Sequence, residues 1–188
     1  MNLATEKNPG YDLILEEINA LGLTSYVKEL DENGFTVIPP EIACPDGLGE
    51  RLLQSILDVS EKRSGVKSDI NDGSTHKNLV GKLNEDIKVD YGLNTESVGE
   101  NEVADDSPIG DFLRALIFEG KAFEDALMNP VILAMATYLV GYQCHLSAMN
   151  AFIKGPNRTN LDLHCDTLLP DPLPDHALVC NCTYALTD

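Results

Sequence analysis

Gly141 separates two hydrophobic rhythms in this chain: before it apolar residues recur mostly at helical intervals, and after it they alternate as in a strand. Helices first and strands afterwards predict the α+β class, with an antiparallel barrel or double sheet beginning near residue 143. In residues 11–21 the stripe is Leu13, Ile14, Ile18 and Leu21, with Gly22 as the stop. A second helix starting after Thr24 turns Tyr26, Val27 and Leu30 inward and ends at Asn33-Gly34, where a left-handed residue is easily accommodated. Residues 35–38 read as a strand closed by Pro39-Pro40, and residues 48–62 return to a helix with Leu48, Leu52, Ile56 and Val59 on one stripe.

Residues 108–118 look helical, with Pro108 near the first turn. A further helix over 123–140 is expected to break at Asn129-Pro130, because proline disfavours helix in the residue before it. Its Met128, Leu133, Met135 and Leu139 read as core. The strand candidates are residues 143–153, 161–165 and 179–186. Residues 64–107 differ from both halves. They are rich in acids, Gly, Asn and Ser, too polar to form a core by themselves, and read as a long connection with a hairpin near 79–89. The alternatives are a lid and a solvated insertion. The chain is thus expected to be one domain over residues 1–188, helical over 1–63, with the insertion and then helices followed by the first sheet strands over 108–188.

At 188 residues and 43% hydrophobic content the chain can bury a core. Its 31 acidic against 13 basic residues give a net charge of -18, which repels nucleic acid and anionic membranes. With neither a signal-like N-terminus nor a long apolar run, the expected location is cytoplasmic. Five cysteines, Cys44, Cys144, Cys165, Cys180 and Cys182, include no Cys-x-x-Cys pair and read as reduced thiols. Cys180 and Cys182 share a strand face, where small buried hydrophobes are favoured over ligands.

The chemistry-bearing motif is His164-Cys165-Asp166. On a strand, side chains two residues apart point the same way, so imidazole and carboxylate can converge on one metal ion while Cys165 faces away. Alone the motif is weak. Asp162 would share that face as an outer-shell acceptor, a rival ligand or a rim carboxylate. His145 reads as structural, His76 and His176 as solvent-exposed. Lys154 and Arg158 flank the preceding turn and either meet an anionic substrate or form an ordinary charged turn.

Three segments taken in order carry a resemblance. They are Val27-Lys28-Glu29-Leu30-Asp31-Glu32-Asn33-Gly34-Phe35-Thr36-Val37-Ile38-Pro39; Phe123-Glu124-Asp125 through Asn129-Pro130 and Leu139 to Gly141; and the His-x-Asp followed by a strand reaching Leu186-Thr187-Asp188. Together they resemble the phytanoyl-CoA dioxygenase family of non-haem iron(II), 2-oxoglutarate-dependent oxygenases, over most of the chain. The resemblance implies a double-stranded β-helix (a cupin-like jelly roll) and iron ligation by His164 and Asp166. It also implies a contact from Asn150 to the 2-oxoglutarate carboxylate; the competing reading is a buried Asn bonded to backbone. The implied reaction consumes dioxygen and 2-oxoglutarate, releases succinate and hydroxylates a C–H bond of a small organic or acyl substrate. Asp166 occupies the ligand position that related halogenases leave open for chloride.

The family's distal His and cosubstrate-binding Arg have no counterpart here, so the expectation is an incomplete catalytic core whose missing half lies past Asp188. The alternatives are a non-catalytic acidic binding or regulatory protein on the same scaffold, and a different cupin-like metalloprotein using Asp162, His164 and Asp166.

Overall fold

The computed structural model describes residues 10–67, 111–155 and 170–187. These are mixed helix and strand, mostly helical, with one small two-stranded antiparallel sheet. Six helices, α1 (Tyr11–Ala20), α2 (Thr24–Asn33), α3 (Pro40–Ala43), α4 (Leu48–Ser64), α5 (Lys121–Leu127) and α6 (Pro130–Val140), accompany strands β1 (Asp111–Leu113) and β2 (Ala151–Ile153). The described residues of Met1–Glu50, Glu124–Leu146 and His164–Asp188 form one compact unit, and those of Arg51–Phe123 and Ser147–Leu163 a second.

In the first unit, α1 ends as its sequence dictates. Gly22 adopts φ 71°, the N–H of Leu23 reaches back to Ile18 O at 2.9 Å, and the N–H of Gly22 to Asn19 O at 3.1 Å. These two bonds satisfy carbonyls the helix would otherwise strand, and they fold Leu23 into the core. Gly34 stops α2 at φ 82°, donating its N–H to Leu30 O. The core joins Ile14 and Ile18 of α1, Leu23, Val27 and Leu30, and Val131, Ala134, Met135 and Tyr138 of α6. Each fully buried aliphatic side chain here contributes about 1.5–3 kcal/mol of burial. The Tyr138 ring tilts against Tyr11 at 6.1 Å, and its hydroxyl donates to Asp31 Oδ2 at 2.8 Å. Burial and the neighbouring Asp31 push that phenol well above its ordinary range.

The helix break expected at Asn129-Pro130 is present. Asn129 is an N-cap whose side chain accepts from the Val131 N–H at 2.9 Å, and its amide donates to Ala43 O. Asn129 is 5% exposed, so its loss removes a cap and takes the donor from the part-buried Ala43 carbonyl. Asn129→Ala is expected to cost about 2–4 kcal/mol, against about 1 for a cap alone. Urea denaturation checks this, and a loss below that of an ordinary cap would rule out the second bond.

Several local expectations are corrected. Residues 35–38 form no strand: Phe35 and Val37 point outward at 63% and 72% exposure. Their alternation is strand-like, Thr36 bonding Glu29 and Ile38 joining the core, but among the described residues no neighbour pairs with them. Residues 111–113 are a strand, not part of a helix, and residues 143–150 and 179–186 form no ladder. Met128 and Leu13 are exposed rather than core. Cys180 is half-buried and Cys182 exposed, so neither is a small buried hydrophobe. Among the described residues no single helix is long and apolar enough to cross a membrane.

Candidate functional site

The second unit positions Asn150. β1 and β2 pair antiparallel with Asp111 opposite Ile153, Phe112 opposite Phe152 and Leu113 opposite Ala151. The pleat turns Asp111 and Leu113 inward, while Phe112 and Phe152 stack on the other face with centroids 4.6 Å apart and planes within 4°. Such a cross-strand aromatic pair contributes about 0.2–1 kcal/mol and holds the register. The Leu116 N–H donates to Met149 O at 3.0 Å, holding the residue before Asn150.

Asn150 is exposed, and among the described residues its side chain has no hydrogen-bond partner. The reading of a buried Asn bonded to backbone is therefore set aside. Extending the register by one residue brings Arg114 opposite Asn150. Arg114 is exposed, and its guanidinium lies 5.1 Å from the centre of the Phe112 ring. A guanidinium and two stacked rings thus lie together, and continuing the pleat by one residue sets Asn150 on the same side. Amide and guanidinium N–H groups both suit a carboxylate. Arg114 was missed in the sequence because the segment reads as helix, which dissolves the pairing that brings it across from Asn150.

His164 and Asp166, with Cys165 and Asp162, lie outside the described residues, as do His76, Arg158, the strand expected at 161–165, and residues 68–110 with the hairpin expected near 79–89. His145, His176 and Lys154 are exposed. His176 contacts Asp175 at 3.1 Å on the surface. Among the described residues no group of three or more His, Cys, Asp or Glu is placed to hold a metal ion.

The strongest charge cluster was also missed. Arg63, its side chain 3% exposed, donates through Nη2 to Glu119 Oε1 at 2.6 Å and through Nη1 to Arg114 O at 3.0 Å. Lys62, 70% exposed, reaches Glu119 Oε2 at 3.0 Å. Burial raises the Glu119 carboxyl, but the hydrogen bonds and charges of Arg63 and Lys62 outweigh it and hold the group below its ordinary range. Arg63 and Lys62 both engage the Glu119 carboxylate, and Arg63 also holds the Arg114 carbonyl, so the cluster ties α4 to the segment following β1. Its role is structural.

Comparison of the chain with protein-family models, with curated proteins and with solved structures gave no match.

Proposed function

We propose that this chain belongs to an iron(II)- and 2-oxoglutarate-dependent hydroxylase of the phytanoyl-CoA dioxygenase type, with a jelly-roll catalytic core. The observation that carries this reading is the ordered set of three sequence segments ending in His164-x-Asp166. Two features of the fold support it. The first two segments coincide with well-defined capping sites, Gly34 at the end of α2 and Asn129 at the start of α6. Residues 151–153, within the strand expected over 143–153, also pair antiparallel, with β1.

A neutral imidazole and a carboxylate form a donor set suited to divalent iron. His164 would supply the nitrogen and Asp166 the oxygen. When bound, iron(II) with 2-oxoglutarate supplies dioxygen activation for C–H hydroxylation. Asn150 would donate its amide N–H to a cosubstrate carboxylate, and Arg114 offers a charged donor on the same sheet face.

Anaerobic titration with iron(II), read by calorimetry, tests the reading separately from turnover. His164→Ala and Asp166→Ala are each expected to weaken iron binding by more than about 100-fold, beyond the loss typical of an outer-shell partner. Succinate release from 2-oxoglutarate should vanish in both variants. Unchanged iron affinity in His164→Ala would refute the assignment.

A further inference from the structure

The chain has 31 acidic against 13 basic residues, yet among the described residues no carboxylate reaches the exposed side chain of Arg114. The guanidinium rests instead over the Phe112 ring, 5.1 Å from its centre, a contact that uses none of its N–H donors. Phe112 stacks on Phe152 at 4.6 Å, and Phe152 is 54% exposed, so the ring pair keeps an apolar surface open to solvent. Continuing the pleat by one residue at either end of β2 sets Asn150 and Lys154, both exposed, on the side of Phe152. Rings thus lie between hydrogen-bond donors.

The backbone around Arg114 is fixed. Its carbonyl accepts from Arg63 Nη1 at 3.0 Å, and two residues further on the Leu116 N–H donates to Met149 O at 3.0 Å. Between these bonds Ala115 takes a left-handed φ of 57°, which side chains of its kind rarely adopt. Strain of this sort collects at ligand sites, where the surrounding bonds hold it in place.

We propose that this face of the sheet binds a small organic carboxylate with a flat apolar body, an arylacetate being the simplest example. The carboxylate accepts from the Arg114 guanidinium, whose planar fork matches its two oxygens, and from the Asn150 amide. The flat body lies against the Phe152 ring. Lys154 attracts the anion as a point charge on a flexible stem, without a fixed bond. Two strands of three residues cannot supply the roughly 800 Å² that each partner brings to a stable protein interface, so the face fits a small molecule. The overall charge of -18 repels anions at long range, which leaves selectivity to the guanidinium and the rings. This inference goes beyond the hydroxylase reading and needs neither iron nor His164.

The test titrates the 15N-labelled 188-residue chain with phenylacetate in the absence of metal, following the backbone amides, the Arg114 Nε–H and the Asn150 side-chain amide by NMR. Shifts are expected at β1, β2 and their flanking residues, saturating with a Kd of about 1 mM, as suits a ligand of this size on an open face. Phenylacetamide keeps the ring and loses the charge, and should bind about ten-fold more weakly. Acetate keeps the charge and loses the ring, and should bind about three-fold more weakly or worse. Arg114→Gln should weaken phenylacetate about ten-fold and Phe152→Ala about three-fold, while Lys154→Gln should change it by less than about two-fold. Arg114→Lys, which keeps the charge without the fork, should fall between Arg114→Gln and the unaltered chain. Because Arg63 holds the Arg114 carbonyl and not its side chain, the tie to α4 survives both Arg114 variants. Absence of saturation by about 10 mM, equal affinity for phenylacetamide, unchanged affinity in Arg114→Gln, or shifts centred elsewhere would overturn the proposal. So would inorganic phosphate or 2-oxoglutarate binding as tightly as phenylacetate, since neither has a flat apolar body.

Discussion

Arg63→Ala is expected to lower the unfolding free energy by about 3–5 kcal/mol, because it leaves the Glu119 carboxylate buried without its main partner. The two side chains are 3% and 8% exposed, so water cannot readily replace the lost guanidinium. The same substitution frees the Arg114 carbonyl, which accepts from Nη1. Lys62→Ala is the internal comparison. It removes a bond to the same carboxylate, but from an ammonium that is 70% exposed, and about 1 kcal/mol or less is expected. Equal effects from the two substitutions in urea denaturation would show that burial of the Arg63 pair does not set its strength.

This cluster also has a pH signature. Glu119 has its folded-state value held below the ordinary 4.5, so the unfolded chain takes up the proton first as pH falls. Its contribution is fully present above that ordinary value and is lost as pH drops through the lower folded value. The overall acidic charge of the chain changes over the same range, so absolute stability mixes several groups. The difference between the unaltered protein and Glu119→Gln removes that background. It should stay level from about pH 7 to about pH 5 and shrink below.

Ile14→Ala is expected to cost about 3–4 kcal/mol in the first unit. Ile14 is 0% exposed at the centre of the α1 and α6 contact, and truncation there loses transfer free energy and leaves a cavity. Alanine is the better helix former, but by under about 0.7 kcal/mol, too little to offset the loss. Leu13→Ala, one residue earlier at 63% exposure, should fall within about 0.5 kcal/mol of no effect. Urea titrations followed by the helical circular dichroism signal distinguish the two. A loss below about 1 kcal/mol in Ile14→Ala would place the core elsewhere.

The contrast between Leu13 and Ile14 shows where the sequence stops being informative. Both lie on the apolar stripe of α1, and only the position of α6 decides which one is covered. The helix ends are different. Gly22 stops α1 and Gly34 stops α2 through bonds reaching back at most five residues, so their signals are complete in the local sequence. The same holds for Asn129-Pro130 as the start of α6, although the bond from Asn129 to Ala43 joins residues far apart in the chain.

Strands were harder to read, because a strand is defined by its partner. Residues 111–113 are too few to display a period, and their pairing with 151–153 made them β1. Residues 35–38 alternate well and lack a partner among the described residues. Of the proposed site, His164-x-Asp166 was legible as a motif and Asn150 as a residue of the strand expected over 143–153, while the exposure of Asn150 and the register that extends to Arg114 came from the fold. Cys180 and Cys182 were visible as a pair, but the half-buried and exposed positions they take were not.

By itself, then, the sequence determined the mixed class, the helices α1, α2, α4 and α6 with the stops at Gly22 and Gly34 and the start at Asn129-Pro130, the acidic character and the His-x-Asp pair, all properties of composition or of interactions a few residues long. Tertiary structure alone decided which apolar residues are buried, which short segments become strands, and that Arg63 and Lys62 share Glu119. Those outcomes depend on what packs against a residue, and the free energy of burial or pairing is set by that neighbour rather than by the residue's own chain.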